Sequence, residues 1–218
     1  MDTGVASIRQ TSVEHILAAT EKVFSKYGFE GATMNQLAAA AGLPRANLHY
    51  YFGTKEGLYR AVLEGILALW LEDAAEWIVP KHHPAEGLAG YVRAKMQHSR
   101  LRPHASRIFA GELLRGAPHI MMYLGIELRN RVMELATVID RWSADGLMDP
   151  VHPVHLLFNI WAMTQTYADF DVQIRAVLGK VSIDDAEYAA ATETVVTLVL
   201  KGCGVRLCPA ENITVETN

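Results

Sequence analysis

Two cysteines in 218 residues, Cys203 and Cys208, are too few for a disulfide framework and fit a reducing compartment. No stretch approaches the roughly 18 uninterrupted apolar residues that a membrane span needs. The opening MDTGVASIRQ lacks the charged-then-apolar design of an export signal. The expectation is a cytoplasmic chain with no membrane partner. Strand signals are scarce, and no nucleophile elbow, phosphate loop or Ser/Cys-His-Asp arrangement occurs, so neither an enzyme nor a cofactor is expected. The rival of another class is a helical hydrolase built on Asp169, Gln165 and nearby histidines. Nine histidines are present, but His82-His83 sits in a turn and His152/His155 brackets a helix start. Neither pair has further ligands at convincing spacing, so no metal is expected.

What the chain has in quantity is hydrophobic residues, 50% of the total, and helix punctuation. Thr11 to Glu14 reads as a capping box that opens a helix carrying Val13, Ile16, Leu17, Val23, Phe24 and Tyr27, stopped by Gly28. Thr33 to Gln36 repeats the box, which predicts a short helix from Met34 to Ala41 ended by Gly42. Pro44 suits the first position of a third helix holding Arg45 to Tyr51 and closing at Phe52-Gly53. Thr54 then caps a long helix over 55–78. Further helices are predicted near 85–101, 103–116, 118–144, 153–178 and 184–202, with prolines at starts and glycines at ends. The fold class is all-α. The expected organisation is an N-terminal three-helix unit at 10–70, a helical unit at 71–205 and a flexible tail at 206–218.

Two short helices joined by a glycine turn, at about 33–52, form a helix-turn-helix pattern. The second gives its core only Leu48, with Tyr51 and Phe52, so its other face is left for a partner. The net charge of −4 does not oppose a nucleic-acid partner, because residues 1–60 hold six Lys/Arg against five acids and the negative charge lies beyond them.

The stretch ILAATEKVFSKYGFEGATMNQLAAAAGLPRANLHYYFGTKEGLYRAVL resembles the DNA-binding region of the TetR/AcrR repressors over some 50 residues. The likeness rests on Phe24, Tyr27-Gly28, Gly31-Ala32-Thr33, Leu37-Ala38, Ala41-Gly42, Tyr50-Tyr51-Phe52 and Lys55-Glu56. It implies a ligand-responsive, homodimeric transcriptional regulator bound to double-stranded operator DNA. Thr33 would set a helix N-terminus against a phosphate. Lys55, at the wrong end of its helix for a cation, would be reconciled by a bound phosphate. His49 and Tyr50 would hold the backbone. Arg45 would read guanine or hold another phosphate, Asn47 would meet a base edge, and Ala46 would allow close approach.

SRLRPHASRIFAGELLRGAP (99–118) and DPVHPVHLLFNIWAMTQTYADFDVQIRAVLG (149–179) are similar to the pyrimidine-utilisation, RutR-like subgroup, which implies uracil or a related heterocycle as effector. Trp161, Gln165 and Asp169 recur at i, i+4, i+8 and so project near one another. An aromatic plane, an amide and a carboxylate suit a small planar ring. Tyr167 lies at a different angle, and Trp70 could reach the cavity from the connecting helix. Each has a plainer reading: Trp161 as a core or interface anchor, Asp169 as partner of Arg107 or Arg175, Trp70 as interdomain packing. Glu112 and Arg115 are further polar candidates. Leu156, Leu157, Ile160, Met163 and Val195, Val196, Leu198, Val199, Leu200 supply more apolar surface than one neighbour covers. The resemblance makes that surface a four-helix dimer bundle. A different member of the family, sensing a bulkier apolar ligand near an efflux or lipid gene, is the alternative.

Overall fold

Capping chemistry places the amino-terminal helices, and tertiary contacts decide several of the later ones. The computed structural model describes the backbone of residues 3–205 and the side chains from residue 13; Cys208 and the tail at 206–218 lie outside. Helix α1 is Thr3–Gly31, α2 is Met34–Ala41, α3 is Arg45–Phe52 and α4 is Lys55–Trp77. Then come α5 (Pro84–Leu101), α6 (Pro103–Leu114), α7 (Met121–Tyr123), a π-helical turn (Leu124–Leu128), α8 (Arg129–Ala144), α9 (Pro153–Asp169), α10 (Asp171–Leu178) and α11 (Asp185–Gly202). Among the described residues there is no strand, and no helix is long and apolar enough to cross a membrane.

The capping box at α2 forms as the spacing predicts. The Gln36 amide donates to Thr33 Oγ1 at 3.3 Å and the Thr33 amide to Gln36 Oε1 at 2.9 Å. Gly42 closes α2 at φ 64°, where a side chain would be strained. Gly28, at φ 67°, breaks helical geometry inside α1. Thr11 is no cap, because α1 begins at Thr3 and Thr11 lies within it. Pro44 stands at the N-cap of α3 rather than at its first turn.

Two cores share α4. The first gathers Ile16, Phe24, Leu37, Leu48, Leu58, Leu63 and Trp70, and extends to Ala105, Ile108 and Phe109 of α6. The second joins Ala74 of α4 and Ile78 just after it to Leu88, Val92, Ile139, Trp142, Leu157, Ile160 and Val195. α6 therefore packs on the amino-terminal helices, and Arg102 pairs with Glu21 across that contact.

The helix expected at 153–178 is two helices. Arg107 of α6 donates to the Ala168 carbonyl at 2.9 Å and pairs with Asp171 at 2.9 Å. A cation from another element thus takes the Ala168 carbonyl in the last turn of α9 and the Asp171 carboxylate in the first turn of α10, and the chain bends at Phe170. The helix expected from 118 starts at Met121, after a turn in which Ala117 adopts φ 56°. α7, the π turn and α8 then run on without a break, since the flanking residues keep right-handed helical dihedrals.

Candidate functional site

On α3 Leu48 is buried, while Arg45, Ala46, Asn47, His49 and Tyr50 are exposed, Tyr50 at 74%. Thr33, at the head of α2, is exposed beside them. The helix anchors through Leu48, with Tyr51 and Phe52 half-buried against the same core, and presents its other residues. His49 ties this face together. Its Nδ1 donates to the Gly53 carbonyl at 2.7 Å, and its Nε2 accepts from Arg45 Nε at 3.2 Å. Arg45 is thus held in the i, i+4 position before any ligand arrives.

Lys55 is placed differently from the expectation. Its Nζ donates to the carbonyls of Phe29 at 2.8 Å and Ala32 at 3.1 Å, and lies 4.4 Å from the Phe29 ring centroid. In the DNA-free chain the conflict with the α4 dipole is met by carbonyls at the end of α1. Nothing in the local sequence signals this contact, which joins residues 26 positions apart.

A cavity of about 100 Å³ lies where α4, α5, α6, the π turn and α9 converge. Trp70, Leu67 and Leu71 come from α4, Tyr91 and Lys95 from α5, and Phe109 and Leu113 from α6. Leu124 and Leu128 come from the π turn, and Trp161 and Gln165 from α9. Trp161 is fixed by donating its Nε1–H to the Tyr91 hydroxyl at 2.7 Å. Phe109 meets Trp70 edge-on at 5.0 Å between centroids. The polar groups at the cavity are few: Gln165, Lys95 and the Tyr91 hydroxyl. Burial pushes the Lys95 ammonium down to about 7, against the pull of Asp73 and Asp169.

The structure thus brings Trp70, Trp161 and Gln165 together and leaves Tyr167 and Asp169 off the cavity wall. Tyr167 turns to Tyr188, 6.2 Å between rings, because it lies two residues round the helix from Gln165. Asp169 accepts from Ser106 Oγ at 2.6 Å, and burial holds its carboxyl above the usual range. Arg107 and Arg175 pair with Asp171 instead. Sequence reading missed Lys95, Tyr91 and Phe109; a lysine in an apolar stretch of α5 was the available signal. Glu112 is fully buried but faces the amino-terminal helices. It accepts from the His119 amide at 2.7 Å. The His119 ring packs on Phe29 at 4.3 Å and on Tyr59 at 5.2 Å. Burial and the Glu112 carboxylate push the Tyr59 hydroxyl up to about 12. The α6–α7 corner therefore touches α1 and α4 at one end while α6 and the π turn line the cavity at the other.

Among the described residues no three His, Cys, Asp or Glu side chains converge on a common point. His82 Nδ1 lies 3.1 Å from the Trp77 carbonyl, and His83 caps α5 by accepting from the Ala85 amide.

Residues 16–62 match the model of bacterial regulatory proteins of the tetR family, and residues 63–206 match the YcdC-like protein C-terminal region. The chain is 39% identical over 194 residues to the HTH-type transcriptional regulator RutR of Escherichia coli (strain K12), covering 86% of this chain and 88% of that protein. It is 33% identical over 157 residues to the HTH-type transcriptional repressor NicS of Pseudomonas putida, covering 71% and 74%. In fold it is similar to the ketosteroid transcriptional regulator KstR2 of Mycobacterium tuberculosis, with TM-score 0.69 at 16% identity over 89% of this chain and 95% of that one. It is likewise similar to AibR, solved with isovaleryl coenzyme A and operator DNA, with TM-score 0.67 at 18% identity over 86% and 97%. These matches span both cores and the helix-turn-helix: the chain belongs to the TetR family and is a DNA-binding transcriptional regulator, not an enzyme.

Proposed function

We propose that this regulator is a repressor that leaves a palindromic operator when a small pyrimidine-like ring, uracil or a close relative, enters the cavity between Trp70 and Trp161. The observation that carries the reading is the cavity itself: about 100 Å³, lined by two indoles together with Gln165 and Lys95. Sites for drug-sized molecules begin at roughly 300 Å³, so the volume favours one small ring over the bulkier apolar ligand of an efflux or lipid regulator. A pyrimidine imide edge alternates acceptor, donor and acceptor, and a primary amide such as Gln165 can both donate to it and accept from it. The likeness to RutR supports the same choice.

TetR regulators act as dimers on operator DNA, and α9 with α11 is the dimer surface that fits this chain. Phe158 and Leu198 expose large apolar side chains on those helices, at 47% and 58%. Residues 10–70 form the DNA-binding unit and 71–205 the sensor, in the cytoplasm. Arg45 and Asn47 read bases; Thr33, Ala46, His49 and Tyr50 meet the backbone or approach it closely. Release requires the effector to prefer a conformation whose two recognition helices miss successive major grooves, about 34–36 Å apart. The α6–α7 corner is the physical link, since it shares α6 with the cavity and His119 with the DNA-binding helices.

The test is calorimetry of the full-length protein with uracil, thymine and a hydrophobic cation, paired with operator release. Uracil or thymine should bind and release operator, with the effector recovered unchanged. Binding of the cation alone would overturn the reading in favour of a bulky-ligand sensor.

A further inference from the structure

Lys95 is the one charged side chain at the cavity, and among the described residues it has no hydrogen-bond or ion-pair partner. It is 2% exposed, and its Nζ stands 3.9 Å from the Trp70 ring centroid at the cavity wall. Two carboxylates flank it without taking it as a hydrogen-bond donor: Asp73 of α4, which pairs with His98 of α5, and Asp169 of α9, held by Ser106 of α6. Arg107 of α6 lies beside Asp169. On another face of α5, Arg93 pairs with Glu193 of α11 at 3.0 Å. The Tyr91 hydroxyl at the cavity already accepts from Trp161 and is held well above its usual range.

A buried amine without an acceptor is costly, whereas one that meets an oxygen in a dry site forms a strong charge-assisted hydrogen bond. The Trp70 ring face adds attraction for the charged form alone. The empty volume in front of Lys95 is therefore matched to an oxygen atom.

We propose that Lys95 reads a ring oxygen of the effector and takes up a proton as that oxygen arrives. The ligand is then a planar ring bearing a carbonyl or enolate oxygen, and the response to it weakens as the pH rises. The inference rests on the cavity being the site for a pyrimidine-like ring. The balance is simple: the neutral amine accepts one proton from solvent and donates one of its three N–H groups to the ligand oxygen. Before ligand arrives the amine sits near half-protonation at pH 7. A ligand that binds only the ammonium raises that midpoint. Its affinity is therefore full below pH 7 and lost progressively above it, by about tenfold between pH 6 and pH 8.

The test is titration calorimetry of the full-length protein with uracil at pH 6 and pH 8, in buffers of different ionisation enthalpy. Wild type should bind about tenfold more weakly at pH 8, with a buffer-dependent heat that reports proton uptake. Lys95→Met should bind weakly at both pH values and lose the buffer dependence, while still folding and binding operator. Uracil affinity equal at both pH values would overturn the inference and leave the reading of the cavity standing. So would a pH dependence that survives in Lys95→Met, which would place the titrating group elsewhere. If Lys95→Met fails to fold, the wild-type heats in the two buffers decide alone. If uracil binds wild type at neither pH, the reading of the cavity falls and the inference with it.

Discussion

Lys55 clamps Phe29: its ammonium donates to the Phe29 carbonyl at 2.8 Å while standing 4.4 Å from the centroid of the same residue's ring. The start of α4 is thereby tied to the end of α1. Lys55→Ala should lower the stability of the DNA-free protein by about 1.5–3 kcal/mol, the range for hydrogen bonds to a charged group. A melting temperature equal to wild type, together with a flatter salt dependence of operator binding, would instead return Lys55 to the phosphate backbone.

Arg45 has its guanidinium held by His49 and is exposed on α3. Arg45→Ala should relax sequence preference at one position of each half-site, at a cost of about 1–3 kcal/mol. Binding to an operator set varied one base at a time checks this. A uniform loss across all variants would reassign Arg45 to phosphate.

Gln165 stands at the cavity, on α9. Gln165→Ala should abolish release by uracil while operator affinity stays within about twofold of wild type, roughly 0.4 kcal/mol. A gel-shift titration with and without effector reads both quantities.

His119 links the sensor to α1 and α4 through Phe29 and Tyr59 and is held by Glu112. His119→Ala should keep uracil affinity and lose the coupling, so that effector binds without releasing operator. Loss of uracil binding itself would show that the corner shapes the cavity rather than carrying its signal.

Lys95 is less easily protonated when folded, at about 7 against the ordinary 10.5. The unfolded chain therefore binds more protons between these values, so stability rises with pH from 7 toward 10.5 and the full penalty is present below 7. Lys95→Met should raise the melting temperature at pH 6, by a free energy on the order of 5 kcal/mol at most, and gain less at pH 9. Melts at the two pH values check the sign.

Phe158 and Leu198, half-exposed on α9 and α11, show how far the sequence pattern could go. An excess of apolar residues was visible there, but not which side chains stay uncovered in one chain. The site divides in the same way. Trp161 and Gln165 were legible because both lie on one helix at i, i+4. Lys95 and Tyr91 were not, because they reach the cavity from α5.

Lys55, with which the structure departs most plainly from the pattern, marks the boundary. The sequence alone determined α2, α3 and α4 almost to the residue, because Thr33, Gly42, Gly53 and Thr54 act on amides and carbonyls within a few positions of themselves. The exposed face of α3 followed equally, from Leu48 with Tyr51 and Phe52 as the only core-facing residues of a short helix. Only the tertiary structure decided that Lys55 turns inward to α1, that Arg107 ends α9 at Asp169, and that α5 brings Lys95 beside Gln165. Those contacts join residues tens of positions apart, and a charge or hydrogen bond between distant elements leaves no period or cap in the chain that carries it.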